Sequence, residues 1–155
     1  MDTMAIRPLE AKDILQIIHI DCSPLPTERD SIYINFYRFF RDTCLVAARG
    51  DEVVGFALGM VDQTAPAYCY LHYLFVTNDC RQAGLGRRLL EQFEQAAQRK
   101  GCRYAALQTS TEQNVDYYSK LGYDMGRDDE LFAEDDAVRD YYRHTRKVFH
   151  MVKTL

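Results

Sequence analysis

The stretch 70-YLHYLFVTNDCRQAGLGRRLL-90 decides the architecture of this chain. It begins as an apolar, aromatic-rich strand pattern, passes through a glycine turn, and continues as a helical pattern that Gly101 ends. A glycine turn between a strand and a helix leaves backbone N–H groups unpaired at the helix N-terminus, where the helix dipole favours an anion. The stretch therefore predicts a turn that holds phosphate.

The composition of the turn supports an anion but does not name the ligand. Gly84 and Gly86 allow a ligand to approach the main chain, and Arg87 and Arg88 stand in the first helical turn, where the dipole disfavours cations. The pattern G-x-x-x-x-G-K-[ST] is absent, and Leu89 stands where G-x-G-x-x-G needs its third glycine. A plain surface turn with solvated arginines remains the alternative at this point.

Composition limits the class of protein. The 155 residues predict one domain, 1–155, and the net charge of −4 argues against a general nucleic-acid binder. No signal-peptide pattern and no apolar run of about 20 residues is present. The five cysteines are odd in number, with neither a C-x-x-C motif nor zinc-like spacing. We expect a cytoplasmic protein that binds no metal ion and no nucleic acid and does not associate with a membrane.

Periodicity along the chain predicts a mixed α/β sheet. Strands are expected at 5–9, 44–48, 52–59, 67–76, 104–108 and 148–153, with another beginning at Tyr123. Helices are expected at 12–20, after Thr27, at 84–100, and in a short segment ending at Leu121. Strict alternation over 67–76 would place His72 and Leu74 on one face. An acidic segment, 128–140, reads either as a solvated loop or as a surface that attracts a cationic ligand.

Two motifs in this order resemble the GNAT superfamily of N-acetyltransferases. Residues 74–90 are similar to its acetyl-CoA-binding motif, [R/Q]-x-x-G-x-[G/A] after a strand, through Arg81, Gly84 and Gly86. N-V-D-Y-Y-S-K-L-G-Y, 114–123, is similar to its N-x-x-[FY]-Y-x-[KR]-x-G-[FY] helix, and F-H-M-V-K-T-L to its last strand. The resemblance implies a single GNAT-fold domain: a mostly antiparallel twisted sheet, two splayed central parallel strands, and flanking helices.

The same resemblance implies where acetyl-CoA would bind. Pantetheine would lie between the splayed strands, the N–H groups of the turn would hold the pyrophosphate, and an arginine would reach the 3′-phosphate. The implied cofactor-binding residues are Leu74, Phe75, Val76, Arg81, Gln82, Ala83, Gly84, Leu85, Gly86, Arg87, Arg88, Asn114 and Tyr117.

Acyl transfer to an amine needs a base, stabilisation of the carbonyl oxygen, and an acid for the departing thiolate. Tyr118 stands at the family's general-acid position. His72 is our candidate base, because imidazole suits proton transfer near neutral pH and Y-L-H-Y-L-F-V resembles the arylalkylamine N-acetyltransferase branch. The strand contains no Glu, which many family members use there, so base catalysis through water or by Asp62 stays open.

The expected activity is transfer of acetyl from acetyl-CoA to a primary amine by direct attack in a ternary complex. D-S-I-Y-I-N-F-Y-R-F-F-R-D-T-C-L-V-A resembles part of the diaminobutyrate acetyltransferases, which favours a small or amino-acid-like acceptor. The alternatives are a non-catalytic acyl-CoA-binding regulatory module, a transferase for a larger acyl group, and a protein or peptide N-acetyltransferase. A homodimer is also an expectation from the family.

Overall fold

The residues that the structure describes form six strands, which lie in one sheet in the order in which they occur in the chain. The structure is a computed structural model that describes residues 3–145 and 148–155, without the side chain of Gln82. The strands are β1 (Met4–Pro8), β2 (Cys44–Arg49), β3 (Glu52–Val61), β4 (Tyr68–Val76), β5 (Tyr104–Thr109) and β6 (Phe149–Thr154). The helices are α1 (Ala11–His19), α2 (Asp30–Phe40), α3 (Leu85–Arg99), α4 (Glu112–Lys120), α5 (Asp128–Leu131) and α6 (Asp136–Thr145).

The sheet is antiparallel except between β4 and β5, which are parallel and joined through α3. Their pairing runs from Tyr68 opposite Tyr104 to Leu71 opposite Leu107. It stops there, although β4 continues to Val76 and β5 to Thr109. The predicted mixed α/β fold is confirmed, and the parallel pair opens after four residue pairs.

Apolar side chains pack on both faces of the sheet. On one face, which we call the α3-side core, Leu89 and Phe93 of α3 pack with Leu71 and Leu107. The spacing of Leu85, Leu89 and Phe93 places them on one stripe of the helix. On the other face, the α2-side core contains Tyr33 and Phe36 of α2 with Phe56, Tyr73 and Phe75. Burying each such large side chain contributes about 1.5–3 kcal/mol.

The alternation predicted for β4 is wrong after Leu71. Leu58 of β3 pairs with Tyr73, and the next residue, Gly59, pairs with Leu71. His72 is therefore the extra residue of a β-bulge, which two-residue periodicity cannot represent.

The bulge changes which side chains face which core. Leu71 lies in the α3-side core, whereas Tyr73 lies in the α2-side core. Likewise Leu74 packs on the α3 side, while the His72 ring stacks on Phe36 of α2. His72 and Leu74 thus lie on opposite faces of the sheet, not on one.

The acidic segment is folded into α5 and α6 and is not a solvated loop. Most of its carboxylates are paired with arginines of the segment or close to it: Arg143 donates to Asp128 and Asp129 at 2.8 Å, and Arg139 donates to Asp136 at 2.9 Å. The segment is therefore less attractive to a cationic ligand than its sequence predicts.

The predicted strand at Tyr123 is also wrong. A single bridge joins Asp124 to Val152 of β6, and Asp124 Oδ1 then accepts the Gly126 N–H at 2.8 Å. That hydrogen bond turns the chain into a short 3₁₀ segment, Met125–Arg127, before α5. Among the described residues, no helix is both long enough and apolar enough to cross a membrane.

Candidate active site

The opening between β4 and β5 widens into a cleft of about 640 Å³, which we call the large cleft. Its walls are the end of β4, the glycine turn and α4. The predicted site residues that line it are Leu74, Phe75, Val76, Arg81, Gly84, Gly86, Arg87, Asn114, Tyr117 and Tyr118. Most of the residues inferred from the two motifs therefore surround one space.

Four of the predicted cofactor-binding residues are not among those that line the large cleft. Ala83 and Arg88 are exposed and are not part of the lining. Leu85 is 2% exposed and belongs to the α3-side core, so only its main chain can reach a ligand. The side chain of Gln82 lies outside the described part of the chain.

The glycine turn has the geometry of an anion site. Gly84 adopts the left-handed conformation, with φ of 71°, immediately before α3 begins. The N–H groups of Leu85, Gly86 and Arg87 begin α3 and have no acceptor within that helix, because an α-helical N–H bonds to the carbonyl four residues earlier. At Gly86, a Cβ would lie 3.3 Å from the Tyr117 hydroxyl and would narrow the space between α3 and α4. This cradle fits the pyrophosphate of a coenzyme A molecule.

The arginines of the turn have different environments. Arg81 Nε donates to the Val76 carbonyl at 2.9 Å, and its guanidinium lies 5.7 Å from the centre of the Phe75 ring. Arg81 thereby ties the turn to the end of β4. Arg87 is exposed and donates to Glu91 at 2.9 Å, a surface pair that is weak enough to yield to a phosphate.

A second space of about 250 Å³, the inner cavity, adjoins the large cleft. Leu25, Leu74, Asn114 and Tyr118 line both spaces. His72 also lines the inner cavity, so the structure brings the predicted acid and base to the same space from different elements.

His72 is held by a carboxylate that the sequence did not reveal. Its Nε2 lies 2.8 Å from Glu28 Oε1, 44 residues away in the chain. An ionised carboxylate only accepts hydrogen bonds, so Nε2 carries a proton, and in the neutral ring Nδ1 is then the nitrogen with the lone pair. The ring is further fixed by stacking on Phe36 at 5.0 Å and by edge contact with Tyr70 at 5.9 Å.

Packing of the proline loop places Glu28. The Tyr73 hydroxyl donates to the Pro26 carbonyl at 3.1 Å, which fastens the loop before α2 onto β4. Glu28 belongs to none of the motifs, and its only sequence signal is an acidic residue just before α2. The other candidate base, Asp62, caps a turn by accepting the N–H groups of Thr64 and Ala65 at 2.8 and 3.0 Å. Asp62 does not line the inner cavity.

Tyr118 stands between the large cleft and the inner cavity. Its ring makes edge contacts with Tyr117 at 5.1 Å and Tyr123 at 5.8 Å. Burial raises the pKa of Tyr118, and the neighbouring Tyr117 raises it further. The phenol therefore remains protonated at neutral pH, as a proton donor must.

Gln108 is a further polar lining residue that sequence reasoning missed. Burial lowers the pKa of His150, so the ring is neutral at pH 7, and Gln108 Nε2 lies 3.0 Å from its Nε2. The amide donates to the neutral ring, which orients Gln108 at the edge of the inner cavity.

Within the described ranges, no group of three or more His, Cys, Asp or Glu side chains is arranged to hold a metal ion.

Comparison with known proteins agrees with this geometry. The model of the Acetyltransferase (GNAT) family matches residues 11–123. The chain belongs to the GNAT family. It is similar to the L-2,4-diaminobutyric acid acetyltransferase of Chromohalobacter salexigens, with 39% identity over 71 residues, 45% of this chain and 37% of that protein. The corresponding Shouchella clausii protein is 33% identical over 82 residues, 53% of this chain and 46% of that protein. The match thus spans less than half the length of these curated relatives.

Solved structures share the fold over nearly the whole chain. Ard1 from Thermoplasma volcanium superposes with a TM-score of 0.78 at 18% identity, covering 98% of this chain and 97% of that chain. Diaminobutyrate acetyltransferase from Paenibacillus lautus, solved with L-2,4-diaminobutyric acid and coenzyme A, has a TM-score of 0.75 at 17% identity, covering 99% and 96%. The expected resemblances to GNAT proteins and to diaminobutyrate acetyltransferases are confirmed. The resemblance to the arylalkylamine branch stays a prediction.

Proposed function

We propose that this GNAT protein transfers an acetyl group from acetyl-CoA to the primary amine of a small, amino-acid-like acceptor by direct attack in a ternary complex. The observation that carries the proposal is the inner cavity at the opening between β4 and β5, because both His72 and Tyr118 line it. A cosubstrate cleft on one side of this opening and a carboxylate-bearing wall on the other would let two substrates meet there.

The large cleft would hold acetyl-CoA, which supplies a thioester carbonyl as the electrophile. The glycine turn would bind the pyrophosphate through main-chain N–H groups. Beyond Leu71, β4 has no β5 partner, so its main-chain groups on that side can pair with the pantetheine amides. Main-chain N–H groups of Phe75 or Val76 would stabilise the carbonyl oxygen as it becomes negative.

The proton steps would involve His72 and Tyr118. His72 would take the proton of the attacking amine on Nδ1, and the Glu28 carboxylate would stabilise the imidazolium that forms. Tyr118 would give its phenolic proton to the departing thiolate. For an amine that attacks in its neutral form, the proton taken up at His72 and the proton given by Tyr118 balance, so exchange with solvent restores both groups; an amine that arrives as an ammonium ion first gives its extra proton to solvent.

The acceptor wall would be formed by Glu28, Tyr70 and Gln108, which line the inner cavity from the α2 side and from β5. A carboxylate at this wall favours an acceptor that arrives as a cation. The similarity to diaminobutyrate acetyltransferases makes diamino acids and short diamines the first compounds to examine.

The test is CoA release by the purified chain with acetyl-CoA and an amine panel of diamino acids, diamines, arylalkylamines and short peptides. The proposal expects acceptor-dependent CoA release and an acetylated product, 42 Da heavier by mass spectrometry. CoA binding without acceptor-dependent release across the whole panel would contradict it and would favour a regulatory acyl-CoA-binding module. Propionyl-CoA serves as the comparison that reports acyl selectivity.

A further inference from the structure

A third space of about 220 Å³, which we call the side cavity, lies next to the inner cavity. The two spaces share Tyr70, Leu107 and Gln108 as walls. Two of these residues, Tyr70 and Gln108, also belong to the proposed acceptor wall. An acceptor whose amine lies beside His72 could therefore continue past them into the side cavity.

Asp62 presents a carboxylate at the wall of the side cavity. Its Oδ1 accepts the N–H groups of Thr64 and Ala65 at 2.8 and 3.0 Å, which fixes the side chain at the turn after β3. Its Oδ2 makes no hydrogen bond to any residue that the structure describes, and Asp62 is exposed, so a ligand in the cavity can reach that oxygen. An ionised carboxylate with an unused oxygen is a strong acceptor for an ammonium group.

Aromatic rings line the same space. Tyr68, Tyr70 and Phe132 contribute them, and the Phe132 ring is held by edge contact with His150 at 4.9 Å. Cations are attracted to the faces of such rings. Because burial lowers the pKa of His150 and the ring is neutral at pH 7, Asp62 carries the only formal charge among the described residues of this lining. The side cavity therefore suits a cation.

The side cavity lies too far from His72 for a short acceptor to occupy both places. The Asp62 N–H donates to the Tyr68 carbonyl at 2.9 Å, which places Asp62 beside the start of β4. His72 is four residues further along that strand. At about 3.3 Å per residue, the two positions are about 13 Å apart along β4. An acceptor that reaches both must be an extended chain.

We propose that the protein also acetylates linear diamines and polyamines, whose distal ammonium group binds in the side cavity between Asp62 and the aromatic rings. The C–S bond of acetyl-CoA breaks and a C–N bond forms at the amine beside His72, with the same proton transfers as for other acceptors. The distal amine keeps its charge, and the chain between the two amines passes Tyr70 and Gln108. This inference rests on the proposed function and extends its acceptors to elongated dications.

The test compares two acceptors of equal length, 1,8-diaminooctane and 8-aminooctan-1-ol, in which a hydroxyl replaces the distal ammonium. We expect kcat/KM to be about 5- to 10-fold higher for the diamine, after allowance for its two equivalent amines, because it adds a partly exposed ion pair and a cation–π contact. Putrescine is too short to reach Asp62 and should have little advantage over 4-aminobutan-1-ol.

Asp62→Asn removes the charge and keeps the turn, because the amide oxygen can still accept the two N–H groups. We expect this variant to lose the preference for 1,8-diaminooctane while its kcat/KM for 8-aminooctan-1-ol stays unchanged. Asp124→Asn is the matched control, because Asp124 also accepts a backbone N–H two residues later, at 2.8 Å, and lines neither cavity. It should leave kcat/KM for both acceptors unchanged.

Equal kcat/KM for the two eight-carbon acceptors in the parent protein would overturn the inference. An Asp62→Asn protein that keeps the diamine preference would also overturn it, because the distal cation would then bind elsewhere. So would an equal loss for both acceptors, which would assign Asp62 to the reaction or to the fold. If no amine were acetylated at all, the proposed function would fail, whereas acetylation of both acceptors without a preference defeats this inference alone.

Discussion

At the scale of single residues, the pairing of His72 with Glu28 decides how the inner cavity can work. The 2.8 Å contact fixes the tautomer of the ring and leaves Nδ1 as the acceptor of a proton. It also places a negative charge where an imidazolium would form. Glu28 would act through His72, as a positioning residue.

Glu28→Gln tests this role. Glutamine can still accept the Nε2–H of His72, so the ring orientation survives while the charge is lost. We expect kcat/KM to fall about 10-fold, with a further loss in Glu28→Ala, which removes the acceptor as well. Asp30→Asn makes the same charge change at an exposed position of α2 and should have little effect. Equal activity of Glu28→Gln and the parent protein would remove Glu28 from the mechanism.

Sequence alone predicted Tyr118 and His72 as candidates but not Glu28. Tyr118 belongs to a local motif most of whose residues lie on one helix, so spacing is informative. The contact between Glu28 and His72 joins residues 44 apart and depends on how the proline loop packs on β4. Only the tertiary structure contains that information.

At the scale of elements, the bulge at His72 is the feature that separates the two faces of the site. A continuous apolar and aromatic run such as Tyr68–Val76 gives no sign of a register shift. On the neighbouring strand β3, the register shift falls between Leu58 and Gly59. Gly59 lies beneath the ring of Phe93. The sequence therefore predicted the strand correctly and its faces incorrectly.

Gly59→Ala tests that packing. The added Cβ would lie 2.7 Å from Phe93 Cζ and 2.8 Å from the Tyr70 carbonyl oxygen, closer than carbon atoms tolerate. We expect the free energy of unfolding in urea to fall by about 1–3 kcal/mol. Gly126→Ala, whose Cβ would meet its nearest neighbour at 3.4 Å, is the matched control and should change much less.

A double-mutant cycle tests whether the contact with Phe93 causes the destabilisation of Gly59→Ala. If the clash with Phe93 carries the cost, adding Phe93→Leu to Gly59→Ala should cost less than the sum of the two single changes. Strictly additive losses would show that the Phe93 contact is not the cause.

The start of α1 gives a pH-dependent prediction. Asp13 is fully buried and accepts two hydrogen bonds from Arg7, at 2.7 and 2.8 Å, and one from the Glu10 N–H at 2.8 Å. Burial on its own would raise the pKa of Asp13, but the hydrogen bonds from Arg7 and the Glu10 backbone outweigh it, so the pKa is lowered. The ionised carboxylate therefore stabilises the fold above its unfolded pKa of about 3.9, and this contribution is lost as the pH falls through the folded value.

Asp13→Asn should lower the free energy of unfolding at pH 7 by about 1.5–3 kcal/mol, the usual size of hydrogen bonds to a charged group. The gap from the parent protein should narrow as the pH is taken below about 4, where the parent loses the same interaction. Urea titrations at several pH values measure both. Asp51→Asn, at an exposed position, is the control, and a gap that stays constant with pH would contradict the argument.

At the scale of the whole molecule, the proposed function would place the two substrates on opposite faces of the sheet. The large cleft opens on the side of α3 and α4, and the His72–Glu28 pair lies on the side of α2. The opening between β4 and β5 connects the two sides of the sheet, because β4 and β5 are not paired beyond Leu71. Motif order in the sequence was enough to predict this opening and the cosubstrate cleft.

The acceptor side was much less predictable. The many carboxylates of the acidic segment predict a solvated loop or a charged surface, yet the segment forms two helices, which are joined by ion pairs of Arg139 with Asp129 and of Arg143 with Asp128. Those helices bring Phe132 and Tyr142 against His150, which in turn orients Gln108. The shape of the proposed acceptor wall therefore depends on packing between distant segments, which no local motif contains.

The most direct measurement of the central claim is kcat of Tyr118→Phe at saturating acetyl-CoA and acceptor, together with its CoA affinity. If Tyr118 protonates the departing thiolate, kcat should fall about 100-fold or more while CoA binds as in the parent protein. Tyr141→Phe, an exposed tyrosine of α6, should keep full activity. A Tyr118→Phe protein with the parent kcat would contradict acetyl transfer at this opening with Tyr118 as the acid.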